Sequence, residues 1–314
     1  MTDEMKMTAE APSDNPREPS PLRGADGRVR LGWRLTLGFL VVAGGLQAAG
    51  MAGRLSASLI ENLPWLGRQA IQAVVMSGVV IPLIYLLRRR VDRRPLVGIG
   101  LGQFGKATRD FVLTLGIVAG FVVVPLLLIP VAGWGSLSVD LSPDTLGFMA
   151  AWLAIAFFFE AFPEEIAVRG YLYRNLSAHA TRWFASVVAV VLFAMVPLVV
   201  VAVDGWLLGS EISLGGQDRL TLGYVLTIIL FGALVQYLRV VTDSVWVCIG
   251  FHLGFLKLGR WIGPHDDAFV RIEAENPGAV DLALQISLLV GLLAILALPW
   301  LAGRWVGWRQ RDPE

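Results

Sequence analysis

The chain has 314 residues, of which 55% are hydrophobic and 16% charged, and its mean hydropathy is +0.65. A soluble domain of this size has too little interior for so much apolar surface, which excludes a water-soluble globular fold and makes a lipid bilayer the expected solvent. The formal net charge of +1 predicts no nucleic acid or other polyanion as partner, and the single cysteine, Cys248, excludes an intramolecular disulfide.

In chain order, residues 1–32 are rich in Pro, Asp, Glu and Arg with few large apolar side chains, a composition that predicts a disordered tail. The first apolar run begins too far from Met1 for a secretory signal peptide and is expected to be a retained helix. Runs long enough to span a bilayer, roughly 20 residues each, recur near 35–52, 69–87, 111–133, 145–163, 183–203, 220–238, 244–259 and 281–301. They predict an all-α polytopic membrane protein with about eight transmembrane helices across 33–304, followed by a short tail at 305–314. Internal repeats are not visible in the helical segments, which weighs against an inverted-repeat transporter. Trp33, Trp65, Trp134 and Trp183 sit near segment ends, as interfacial anchors do.

Short cytoplasmic loops retain Lys and Arg. The loop "RRRVDRRPLVGIGLGQFGKATR" (88–109) is therefore expected inside, together with the N-terminal flank, the segment carrying Arg169, Arg174 and Arg182, the turn at Arg239 and the C-terminal tail with Arg304, Arg309 and Arg311. The loops around Asp140 and Asp144, and around Asp204, Glu211 and Asp218, are more acidic and expected outside. Both termini are then cytoplasmic. The stretch 260–280 mixes both signs and informs least.

The segment "FFFEAFPEEIAVRGYLYRNL" (157–176) places Glu160, Glu164, Glu165 and Arg169 at the cytoplasmic end of the fourth predicted helix. On a helix, Glu165 and Arg169 are i,i+4 neighbours and can neutralise each other; Glu160 and Glu164 share that spacing and cannot. Two readings follow. All four residues could mark the water boundary, with long side chains reaching out of the apolar layer. Alternatively, acids placed near hydrocarbon cost a few kcal/mol on insertion scales and by default mark a functional site.

"EEIAVRGYLYRNL" resembles the Glu-Glu-x-x-x-Arg-Gly-x-Leu motif of the CPBP intramembrane proteases, the family of type II CAAX prenyl endopeptidases and of bacteriocin-processing and self-immunity proteins. "FGALVQYLRVVTDSVWVCIGFHLGF" (231–255) is similar to the family segment that ends on a histidine, and "VDRRPLVGIGL" (91–101) to a loop found in it. The resemblance implies a family core at about 145–260. It implies that Glu164 is the general base on a water attacking a peptide carbonyl, with His252 beside it, while Glu165 and Arg169 hold the helix and orient Glu164. It also implies a membrane-associated peptide or protein substrate; for the multi-pass protein itself the plasma (inner) membrane is the simplest expectation. Prenylated ends, bacteriocin leaders and membrane-protein tails all suit a cavity open to the cytoplasmic leaflet.

Two positions depart from the family pattern: "FAMVP" keeps Phe193 but has Pro197 where a histidine is expected, and "HLGFL" keeps His252 but has Leu256 where Asn or Asp is expected. A catalytic zinc usually takes three protein ligands. Zinc or another divalent metal on Glu164 and His252 would need a substitute ligand, and Cys248, one turn before His252, is the one available on that helix face. Cysteine is equally an ordinary small residue of a packed helix. His179 reads as interfacial, and His265 beside Asp266 and Asp267 as a surface residue with a marginal case for a metal. A metal-free glutamate mechanism and an inactive relative are both compatible with this residue set. The function classes are thus an intramembrane endopeptidase; an inactive family member serving as scaffold, peptide binder or immunity protein; and, with least support, a proton-coupled transporter using Glu160 and Glu164.

Overall fold

The computed structural model describes residues 21–24, 28–209, 213–214, 218–219, 221–258, 261–263, 269–301 and 307–312. Most of the predicted tail at 1–32 therefore lies outside the described residues, and the first helix begins at Leu31. Among the described residues seven helical spans are long and apolar enough to cross a membrane: Leu31–Leu59, Trp65–Val91, Leu96–Val131, Pro143–Ser177, Arg182–Leu207, Leu222–Thr242 and Pro277–Ala297. The protein is an all-α, multi-pass membrane protein, and the eight predicted runs resolve into these seven spans and one shorter helix.

The helices are α1 (Leu31–Leu59), α2 (Trp65–Leu86), α3 (Phe104–Val131), α4 (Pro143–Ala156), α5 (Phe162–Glu165), α6 (Tyr173–Ser177), α7 (Arg182–Leu208), α8 (Leu222–Thr242), α9 (Val245–Leu258) and α10 (Pro277–Leu301). Lipid-facing positions such as Leu113, Ile117 and Val124 on α3 and Leu289, Val290 and Leu293 on α10 are each about half exposed. With both lipid and core apolar, close packing and internal hydrogen bonds select the inward faces. Met76, Val80, Ile84, Ile99, Ala167, Tyr171, Val235 and Ile249 meet in one fully buried centre.

The eighth helix, α9, has 14 residues, about 21 Å at 1.5 Å per residue and short of a hydrocarbon core of about 30 Å. It still carries the chain from one face to the other. Its first amide donates to Gly100 O at 3.0 Å and the Trp246 indole to Leu101 O at 2.8 Å, both just before α3. It packs along α3 closely enough that a Cβ on Gly250 would lie 2.7 Å from Phe111 O. After α7, β2 (Ser213–Leu214) pairs antiparallel with β3 (Asp218–Arg219); beyond α9, β4 (Ile262–Gly263) pairs in parallel with β5 (Val270–Ala274), and β5 pairs antiparallel with β1 (Gly135–Val139), the strand that follows α3.

Two faces result. On the first, Arg34 reaches Asp92 at 3.8 Å, Asn175 donates to Asp92 at 3.0 Å and Arg239 donates to Ile99 O at 3.4 Å. The C-terminal segment 307–312, predicted as part of a tail, docks on the turn between α6 and α7 on this same face. There the amides of Arg182 and Trp183 donate to Gln310 O and Trp308 O, and Asp312 pairs with Arg174 at 3.2 Å and Arg182 at 2.7 Å. This basic face gathers the five flanks that charge bias assigns to one side. The strand face opposite holds the β1–β5–β4 sheet, Asp140 and Asp144, and the Arg54–Asp204 pair at 2.9 Å that ties α1 to α7. Which face meets the cytoplasm is set by the charge bias rather than by the fold.

The fourth span departs most from the sequence reading. The predicted helix stops at 163, where charges begin, but the helical path runs on to Ser177. Ser142 caps its start by accepting from the Thr145 amide at 3.3 Å. Two stretches of π-helix, Phe157–Ala161 and Ile166–Leu172, flank the four residues of α5. In the first, the Phe162 amide donates to Phe157 O, five residues back. That widened turn precedes Pro163, which has no amide hydrogen and needs room for its ring. The charges do not end the helix because Glu165 and Arg169 pair with each other inside the protein and Glu160 pairs with Lys257.

If charge bias orients the bundle, cysteines replacing the exposed Arg89 and Asp144 will label from opposite sides of a sealed membrane: Asp144→Cys with an impermeant thiol reagent applied outside, Arg89→Cys only from inside. Outside labelling of Arg89→Cys would reverse the orientation.

Candidate functional site

Glu160 in the first π-helical stretch and Glu164 and Glu165 in α5 meet three different surroundings. Glu165 is fully buried against α9, where its Oε1 accepts from Arg169 Nη1 at 3.1 Å and lies 2.8 Å from His252 Nδ1. Arg169, also without exposed surface, donates through Nη2 to Gly232 O at 3.1 Å and lies 4.1 Å over the Phe193 ring. Glycine is required at 232 because a Cβ there would sit 2.9 Å from that same ring. Arg239 closes the assembly, donating to Arg169 O at 3.0 Å and to Ile99 O at 3.4 Å.

Glu165 and Arg169 therefore mark no water boundary, which overturns that reading of the motif. The expected role of Glu165 changes as well: the carboxylate it was to orient, Glu164, is not its partner, and it holds the His252 ring instead. With a carboxyl oxygen 2.8 Å from Nδ1, the tautomer that donates through Nδ1 satisfies this contact and leaves the Nε2 edge for others.

Glu160 pairs with a residue that no spacing signals, Lys257 near the end of α9, at 3.2 Å. This is a charge contact without hydrogen-bond geometry, since Glu160 Oε2 has no hydrogen-bond partner. The Lys257 ammonium also lies 5.4 Å from the Trp152 ring centre.

Glu164 makes neither kind of contact among the described residues. It lines a cavity of about 230 Å³ together with Glu160, Pro197, Tyr224, His252 and Leu256. Glu164 and His252 thus converge on one space, and so do the two positions where the family pattern expects further polar side chains. Tyr224 lies two residues inside the strand-face end of α8, and Leu256 two residues before the strand-face end of α9. The cavity thus extends from Glu164 to the end of α8 that carries Tyr224 and the end of α9 that carries Leu256. A cleft of about 250 Å³ on the basic face is slightly larger, but its acids are matched, Asp110 by Lys106 at 3.2 Å and Asp243 by Arg239 at 2.6 Å. The smaller cavity is the one that brings Glu164 and His252 together.

The donor set does not fit zinc. Three protein ligands are the norm, and this cavity offers Glu164 and His252 Nε2, because Lys257 engages Glu160 and adds positive charge while Pro197 and Leu256 contribute no ligand. Cys248 is no substitute: its thiol is buried and faces the carbonyls of Val235 and Ser244 at 3.6 and 3.5 Å. Among the described residues no three His, Cys, Asp or Glu side chains come together as a metal group. His179 lies on the basic face, with Nδ1 2.9 Å from Asn175 O. His265, with Asp266 and Asp267, lies outside the described residues.

The sequence reading also missed Asp92. It is fully buried below the site, where its carboxylate takes Arg88 at 3.0 Å, Arg34 at 3.8 Å, Tyr171 at 3.1 Å and Asn175 at 3.0 Å. In the sequence it is one charge within an Arg-rich loop, which reads as solvated.

Residues 146–255 match the family model described as type II CAAX prenyl endopeptidase Rce1-like, about a third of the chain and the part that holds both the Glu164 motif and His252. No curated protein and no solved structure matches the chain.

Removing one partner of a buried ion pair strands the other charge, at a cost of about 3–5 kcal/mol. Arg169→Ala is therefore expected to lower the yield of folded protein far more than Glu164→Gln, as read by monodisperse protein in detergent. Equal yields would show that the Glu165–Arg169 pair is hydrated.

Proposed function

We propose that this chain, a CPBP protein by its Rce1-like core, is an intramembrane endopeptidase in which Glu164 activates a water molecule against a peptide bond of a membrane-associated substrate. The observation that carries the reading is the division of labour among the three glutamates. Glu165 is used by Arg169 and His252 and Glu160 by Lys257, while Glu164 lies in a cavity beside an imidazole anchored from behind.

The hydrolysis starts from Glu164 and His252. Glu164 takes a proton from water as its oxygen bonds to the carbonyl carbon; the C–N bond then breaks, and Glu164 returns that proton to the leaving amine. His252, with Nδ1–H given to Glu165, accepts a hydrogen bond from the same water at Nε2 and so orients it. The developing oxyanion needs a donor. Pro197 and Leu256 have none, and the Tyr224 hydroxyl, which lines the same cavity, is assigned that role. The plasma membrane is the proposed location.

A second reading rests on the same two apolar residues: their presence in the cavity removes donors that the family pattern expects, leaving a protein that binds peptide without cutting it. Cleavage of a quenched membrane-anchored peptide separates the two. The peptidase reading predicts wild-type turnover that drops on the order of 10²–10⁴-fold in Glu164→Gln, the usual worth of general-base catalysis, and also falls in Tyr224→Phe. Turnover absent from wild type and gained only in the Pro197→His, Leu256→Asn double variant would establish the binding protein. Folding must be verified first, because replacing Pro197 changes the course of α7.

A further inference from the structure

We infer that the cleft on the basic face binds the headgroup of an anionic phospholipid, seated between the start of α3 and the start of α9 with its acyl chains in the surrounding bilayer. This site is separate from the cavity of Glu164 and His252 and needs no peptidase chemistry.

Positive charge is concentrated at this end of the bundle. Residues 88–110 hold seven Lys and Arg against two Asp, in a chain whose net charge is only +1. Clusters of roughly four to eight Lys and Arg beside a membrane-spanning helix attract anionic headgroups. Part of the surplus is buried: Arg34 and Arg88, each 2% exposed, share the single carboxylate of Asp92 at 3.8 and 3.0 Å. The other partners of Asp92, Tyr171 and Asn175, bring no positive or negative charge, and Arg34 Nε and Nη1 have no hydrogen-bond partner among the described residues. A buried guanidinium without a matching anion is costly, so this face favours an anion from outside.

The cleft of about 250 Å³ offers a place for one, with Gly98, Gly100, Lys106, Arg174 and Ser244 in its lining. Glycine lets two buried guanidinium groups come up against its wall: a Cβ on Gly98 would lie 2.9 Å from Arg88 Nη2, and one on Gly100, where φ is +95°, 2.8 Å from Arg239 Nη2. The two acids in the lining do not confront an anion unpaired. Asp110 is held by Lys106 at 3.2 Å and Arg109 at 3.3 Å, and Asp243 by Arg239 at 2.6 Å. Arg174 is already engaged by Asp312 at 3.2 Å. Lys106 is the cation with donors to spare, since an exposed ammonium has three and the Asp110 contact occupies one.

Depth and rim select a lipid over a soluble anion. The loop joins the ends of the spans Trp65–Val91 and Leu96–Val131, which puts it at the level of the headgroups. Large apolar side chains stand out beside the arginines: Phe104 is 87% exposed, and Val97, on the cleft itself, 65%. Apolar side chains set among Lys and Arg suit a molecule that is anionic at one end and hydrocarbon at the other. The Val245 amide donates to Gly100 O at 3.0 Å, so a headgroup held in the cleft braces the start of α9, the helix that carries His252.

The test uses the full chain in a neutral detergent, with native mass spectrometry counting the lipid retained after addition of dioleoyl phosphatidylglycerol, dioleoyl phosphatidylcholine or inorganic phosphate. Expected is one phosphatidylglycerol per chain, held in preference to phosphatidylcholine. Lys106→Gln should weaken that binding about fivefold, the worth of one cation near an anionic headgroup, and Lys106→Arg should keep it. Val97→Trp fills the rim from an exposed position without changing charge; it should also weaken binding, and it decides the matter if Lys106→Gln does not fold. Equal retention of the two lipids overturns the inference. So does unchanged binding in folded Lys106→Gln or in Val97→Trp. Arg90→Gln, which is not in the cleft lining, overturns it by losing as much as Lys106→Gln, because binding is then diffuse attraction to the whole face. Displacement of phosphatidylglycerol by an equal concentration of inorganic phosphate makes the site one for a soluble anion and overturns its assignment to lipid.

Discussion

One oxygen atom organises the centre of this protein. Glu165 Oε1 receives the Arg169 guanidinium and the His252 ring together, in a place where none of the three has more than 3% of its surface exposed. An unpaired carboxylate there would be costly, so the site exists only when the middle of the fourth span, α8 and α9 are all in register. Gly232, whose carbonyl takes the second Arg169 nitrogen, and Arg239, which ties the π-helical backbone to the loop before α3, extend the same constraint outward.

Such a pair adds little net stability compared with apolar packing, because desolvation offsets most of its attraction. Its value is positional. It fixes the face His252 shows the cavity that Glu164 lines. Glu164 and Glu165 are consecutive residues of α5, about 100° apart around it at 3.6 residues per turn, so one helical segment serves a cavity with the first and a packed interface with the second. The Asp92 cluster repeats the logic one layer lower, with one carboxylate gathering groups from α1, the end of α2 and the fourth span.

Much of this was legible before any coordinates. Long apolar runs gave the membrane class, and the spacing of Glu165 and Arg169 gave their pairing because i,i+4 geometry is local. The glutamate motif and His252 were found through resemblance. Long-range partners were not legible: Lys257 and Glu160 come from different spans and carry no mutual signal, and Asp92 hides among arginines that usually mean solvent. The fourth helix was cut short for the same reason, since composition shows where charge begins but not whether protein or water will meet it. The short α9 passed for a full span because its apolar run extends a little past the helix that forms.

The central claim is that Glu165 holds His252 while Glu164 faces the cavity. With only three histidines in the chain, ¹⁵N resonances of the His252 ring can be assigned by single substitution in lipid. A protonated, carboxylate-bonded Nδ1 is expected, lost on Glu165→Gln and retained on Glu164→Gln, which should shift only the Nε2 signal. An Nδ1 signal that survives Glu165→Gln and responds to Glu164→Gln would contradict the claim and exchange the two glutamates.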